Sequence, residues 1–139
     1  MTTTQPLRLS NCQWSEDAER ILARSCKWFP LATVEDYRRV LESDPSAGLY
    51  RLDDADGKAI GFAILKVETF SGGSEGVILA CAANAPGVDL IGLLLPTLEG
   101  LFVGVSSFRV TTARPGLIRK LSKHGWQQTH AVMRKTAPC

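Results

Sequence analysis

The stretch from Gly76 to Thr112 constrains the fold most. Gly76 to Ala83 (GVILACAA) is a near-continuous apolar run of strand length, the pattern of a strand buried on both faces. Val88 to Val105 follows as a helix, with Leu94, Leu98, Leu101 and Val105 on one face and Leu95 and Phe102 widening it. Phe108 to Thr112 is strand-like again. A strand, a crossover helix and a strand in this order set the two strands parallel. Pro96 is expected to kink the helix or to divide it into two shorter pieces.

The rest of the chain supplies the partners of this unit. Leu7 to Cys12 reads as a strand. Ser15 is placed to cap a helix, with Glu16 and Asp17 in its first turn, where the helix dipole favours acids. Ala18, Ile21, Leu22, Ser25 and Phe29 then recur at helical spacing until Pro30. Thr33 and Asp36 have capping-box spacing for a second helix, whose inner stripe is Val34, Tyr37, Val40 and Leu41. Gly48–Leu52, Ala59–Val67 and Gly76–Ala83 form a meander, joined through the polar Asp53–Gly57 loop and through Ser71–Ser74. Downstream, Pro115 suits the first turn of a helix with Leu117, Ile118 and Leu121 inside, and Gly125 suits its stop. Trp126 to Met133 alternates as a last strand. The order β-α-α-β-β-β-α-β-α-β predicts an α/β domain, a mixed sheet with helices on both faces. Residues 1–139 form a single domain in this reading, with 1–6 a loose tail.

Composition narrows the functional classes. The chain is 45% apolar and 22% charged, a globular mix and not a disordered one. Four cysteines (Cys12, Cys26, Cys81, Cys139) without CxxC spacing and only two histidines argue against a metal site. They suit free thiols in a reducing cytoplasm. The opening MTTTQPLRLS has neither the basic nor the apolar region of a secretory signal. The apolar 88–105 run holds Asp89, Pro96 and Glu99, so a buried helix is expected there and no membrane span. Charge is lopsided. Residues 1–99 hold nine Lys/Arg against fourteen Asp/Glu, and residues 100–139 hold seven Lys/Arg and no acid. Either the two halves neutralise each other across the fold, or the C-terminal part presents a basic face to an anionic partner.

The order of elements, together with Leu117-Ile118-Arg119-Lys120-Leu121-Ser122-Lys123-His124-Gly125-Trp126, resembles the GNAT superfamily of acyl-CoA N-acyltransferases. The basic helix and the Gly-aromatic step carry the local likeness. The small size, the Ala113-Arg114-Pro115-Gly116 turn and the ending Met133-Arg134-Lys135 are most similar to the small GNAT-like proteins of tailed bacteriophages. The resemblance implies acetyl-CoA or another acyl-CoA as donor and an amine as acceptor. It places the pyrophosphate loop at Asn84-Ala85-Pro86-Gly87-Val88-Asp89. Asn84, Gly87, Val88, Asp89 and Leu90 would meet the cofactor there, assisted by Arg114 and Arg119.

That loop departs from the family pattern. Pro86 removes an N–H donor, and Asp89 competes for the remaining donors and repels phosphate. Leu121 stands where the family often has a proton-donating tyrosine, and His124 suits a solvent-exposed helix end. Glu68 and Glu75 are the candidate bases of the middle strands, and both also fit as solvated loop charges. Cys81 reads as strand packing. The alternative is a non-catalytic binding or assembly module, such as a virion component. Its basic face would meet an acidic protein or a phosphate-bearing partner. Nucleic acid fits this face less well, because aromatic residues are nearly absent from it.

Overall fold

A computed structural model describes residues 8–24, 32–83, 90–112 and 115–138, apart from the side chains of 90–94 and 98. The elements are β1 (Arg8–Asn11), α1 (Glu16–Leu22), α2 (Val34–Ser43), β2 (Gly48–Asp53), β3 (Ala59–Phe70), β4 (Gly73–Ala83), α3 (Leu90–Leu101), β5 (Ser107–Val110) and α4 (Pro115–Lys123). They build a five-stranded mixed sheet in sequence order. Neighbours from β1 to β4 pair antiparallel, and β4 pairs parallel with β5. The α/β architecture expected from the order of elements is therefore present.

Local chemistry explains the helix ends. The Ser15 side chain accepts from Ala18 N–H at 3.1 Å, and the Asp36 carboxylate accepts from Thr33 N–H at 2.8 Å. Both satisfy donors or fix geometry at a first turn. Gly125 takes φ +87°, and Trp126 N–H reaches back to the Leu121 carbonyl at 3.1 Å. This left-handed stop requires glycine to avoid a Cβ clash. The continuation of α1 toward Phe29 lies outside the described residues.

Two bulges decide what each face of the sheet buries. Leu52 pairs with Gly61 and Asp53 with Ala59, so Ile60 is an extra residue on β3. Ile64 pairs with Ala80 and Leu65 with Ile78, so Leu79 is an extra residue on β4. An extra residue breaks the two-residue alternation. Accordingly Ile60 and Phe62 share parity yet lie in different cores, as do Ile78 and Ala80. One core joins Ala18, Ile21 and Leu22 of α1 to Leu49, Phe62, Ile64 and Ala80, with Tyr37 and Leu41 of α2 against it. The other joins Leu52, Ile60, Ala63, Leu65 and Ile78, with Phe102, Val110 and Trp126 against it.

Several sequence expectations change. The β3–β4 hairpin is longer than the apolar pattern suggested, because Glu68–Phe70 and Gly73–Glu75 continue the ladder to a two-residue turn. α3 runs through Pro96 as one helix, so Pro96 does not divide it into two pieces. Among its described side chains Leu95 is the buried one, while Leu101, expected on the inner face, is 44% exposed. The last strand is absent: 126–138 is irregular, and only Trp126 in it is half-buried. Alternation alone does not hold a strand whose remaining residues find no apolar face to cover.

Candidate cleft between two parallel strands

The parallel pair is short. Its rungs are Glu75↔Ser107, Gly76↔Phe108, Val77↔Arg109 and Ile78↔Val110. β4 continues to Ala83, beyond the last rung of its ladder with β5. The ladder ends beside the Leu79 bulge, where β4 carries an extra residue against β3. β4 and β5 are parallel neighbours, so the crossover helix between them must run antiparallel to both. The N-terminal end of α3 therefore lies toward the open, C-terminal ends of the strands. Crevices at such carboxyl ends are where open α/β sheets take ligands. Partial positive charge at a helix start adds an anion preference to the same end.

Asn84, Gly87, Val88, Asp89 and Arg114, the expected cofactor contacts, lie outside the described residues. Leu90 opens α3. Arg119 is exposed on α4, the helix that follows β5 in the chain. Leu121 is the buried residue of α4 and anchors it to the fold.

Glu68 and Glu75 are brought together, but not at the cleft. They face each other as a β3–β4 pair at the closed end of the β4–β5 ladder. Directly opposed like charges destabilise a sheet. Arg109 of β5 resolves the conflict with both arms: Nη2 lies 2.8 Å from Glu68 Oε1, and Nη1 lies 3.2 Å from Glu75 Oε1. Ser107 Oγ donates to Glu75 Oε2 at 2.7 Å. Lys66 Nζ adds contacts to Glu68 at 3.4 Å and to Asp44, the C-cap of α2, at 3.6 Å. Neither glutamate is a solitary loop charge. Arg109 also leaves the basic surface that the sequence suggested and neutralises acids from the first part of the chain.

The bond from Arg109 holds the Glu68 carboxyl below the usual carboxylate range, with Lys66 helping and partial burial opposing. A carboxylate whose pKa is depressed by folding stabilises the fold above its unfolded pKa, and that contribution is lost as pH falls through the folded pKa. Wild type is therefore expected to melt higher than Glu68→Gln at neutral pH. The two melting temperatures should converge as pH drops from about 5 toward 3, across and below the ordinary Glu range. A gap independent of pH would show that this ion cluster does not titrate with folding.

Two shallow grooves flank the closed end. One, of about 190 Å³, is lined by Phe70, Gly72, Gly73, Ser74, Glu75, Ser106 and Ser107. The other, of about 360 Å³, lies between β5 and the chain after α4, with Glu99, Phe108, His124, Trp126 and Thr129 among its walls. Phe102, Phe108 and Trp126 form a row there, with ring centroids 5.9 and 6.3 Å apart. Neither groove includes β4 beyond Ile78. We place the candidate site at the parting because backbone geometry, helix polarity and strand direction converge there. Sequence reading missed Leu79 and Arg109. The first is hidden in an apolar run, and the second finds its acids more than thirty residues away.

No family model matches the chain, and no curated protein matches it. Solved structures do resemble it. A possible acetyltransferase from Clostridium difficile 630 superposes with TM-score 0.70 at 6% identity, covering 97% of this chain and 99% of that one. A protein from Pyrococcus furiosus, provisionally described as an acetyl transferase, gives TM-score 0.73 at 13% identity, with 94% and 99% covered. The aminoglycoside antibiotic 6′-N-acetyltransferase AAC(6′)-Ih from Acinetobacter baumannii gives TM-score 0.61 at 11% identity, with 96% and 99% covered. The fold is thus GNAT-like along nearly the whole chain. At these identities the likeness establishes fold alone.

Proposed function

We propose that this domain is an N-acyltransferase that carries an acyl group from acyl-CoA to an amine. The observation that supports this reading best is the end of the parallel β4–β5 ladder at Ile78↔Val110, beside a bulge and at the strand ends toward which the crossover helix starts. Such a cleft offers an extended thioester arm a strand edge to lie against, with the helix start for its phosphates. Gly87 and the backbone N–H groups of Val88 to Leu90 are the assigned pyrophosphate contacts, with Arg114 or Arg119 assisting. Pro86 and Asp89 weaken that set by one donor and one repulsive charge, so modest affinity is expected.

Binding is tested by following the melting temperature with CoA and acetyl-CoA. A ligand at ten times its Kd adds about 1.4 kcal/mol, a rise of roughly 5 °C for a domain of this size. No rise at millimolar CoA overturns the reading. Acetylation of an amine panel, aminoglycosides included because a neighbour in fold acts on them, then tests turnover.

A second reading, a non-catalytic binding or assembly module, draws on the exposed Arg119 and Lys123 of α4 in a region without acids. It expects no response to CoA and co-purification with an acidic or phosphate-bearing partner. A phage origin and a place in a virion rest on the small size, the ARPG turn and the Met133-Arg134-Lys135 ending alone. The similar structures described above come from two bacteria and an archaeon.

A further inference from the structure

We infer that Arg109 is a positioning residue that sets where β5 parts from β4, and so fixes the width of the donor cleft; the consequence for CoA rests on the function proposed above. β5 is four residues long and has no strand on its outer edge among the described residues. Its apolar rungs do not define its register. A slip of two residues toward the end of β4 would set Phe108 against Ile78 and keep apolar groups together on the same face. The charged rung is different. Arg109 stands opposite Val77, one rung before the last pair, and its two nitrogens fork onto glutamates of two other strands. The same slip would carry the guanidinium about 7 Å along the sheet and leave two carboxylates facing each other.

Energetics favour registry over stability as the role of this cluster. The Arg109 side chain is 41% exposed, and ion pairs so exposed contribute little net stability. Ionic clusters can instead select one arrangement among several of similar energy. Here the selected arrangement ends the β4–β5 ladder at Ile78↔Val110, next to the Leu79 bulge. Fixing the last rung fixes the apex of the opening. Arg109 touches neither donor nor acceptor in this account; it acts through the strand that carries it.

The test separates registry from stability. In the variant Glu68→Gln/Glu75→Gln/Arg109→Met, the repulsion and its neutralising cation are removed together. Its melting temperature should stay within a few degrees of wild type. Amide hydrogens of Ser107–Val110 should exchange about tenfold faster, ~1.4 kcal/mol of local protection, while those of β2 and β3 exchange as before. Acetyl-CoA affinity, measured by calorimetry, should weaken by about tenfold. Wild-type exchange in β5 overturns the inference, as does unchanged affinity alongside faster exchange. If wild type itself binds no acetyl-CoA, the proposed function fails, and the exchange result still decides whether Arg109 sets the register. Should the triple variant not fold, Arg109→Lys serves instead. One ammonium cannot fork onto two carboxylates, so β5 exchange should rise, and exchange equal to wild type overturns the inference.

Discussion

Ile64→Ala is expected to lower the stability of the domain by about 3 kcal/mol, a fall in melting temperature of roughly 10 °C. Ile64 is fully buried at the centre of β3, among residues of α1, β2 and β4. Its removal leaves a cavity between a helix and a sheet. The sheet cannot collapse into it, since β3 is paired on both sides and Ile64 adjoins the register shift to β4. The cost therefore includes both lost transfer energy and the unfilled volume. Denaturant titration should show a lower midpoint with an unchanged slope. Val132→Ala serves as control: Val132 is 63% exposed in the irregular C-terminal segment, and its change should stay within about 0.5 kcal/mol. A loss below about 1 kcal/mol at Ile64 would contradict the packing of α1 on the sheet.

Gly76→Val should cost about 2–3 kcal/mol, although valine favours strands. A Cβ at Gly76 would lie 2.6–2.9 Å from ring atoms of Phe102, closer than carbon atoms tolerate. Phe102 must move, and it lies in the aromatic row with Phe108 and Trp126. The disturbance is thus expected in the near-ultraviolet circular dichroism as well as in stability. A double-mutant cycle identifies the cause. In a Phe102→Ala background the added cost of Gly76→Val should fall below about 1 kcal/mol, because the clash is gone and strand propensity remains. Equal costs in both backgrounds would place the strain elsewhere.

Particular residues mark what could be read before the structure was known. Ser15, Asp36, Pro115 and Gly125 act within a few residues of themselves, and each occupies the helix end that its chemistry suggested. The parallel pairing of β4 with β5 followed from the helix between them, a connection rule needing no side-chain detail. The candidate site was legible only in outline. A pyrophosphate loop at Asn84–Asp89 is an expectation drawn from likeness to a family, and most of its assigned residues lie outside the described part of the chain. Glu68 and Glu75 stood out because of where they flank a turn, but their role changed once Arg109 lay between them. The strand expected at Trp126–Met133 illustrates the opposite failure. Alternation in sequence is necessary for a half-buried strand, but it does not supply the neighbouring face that such a strand must cover.

The sequence by itself determined the order of elements as far as α4, the helix ends and the apolar strands, since periodicity, capping and connection length are local properties of the chain. Tertiary structure alone decided the Leu79 bulge, the four-rung limit of the β4–β5 ladder and the capture of Glu68 and Glu75 by Arg109. Each depends on which distant residue stands opposite. A register between strands is set by the summed packing and charge of both partners, so no window of one strand contains it.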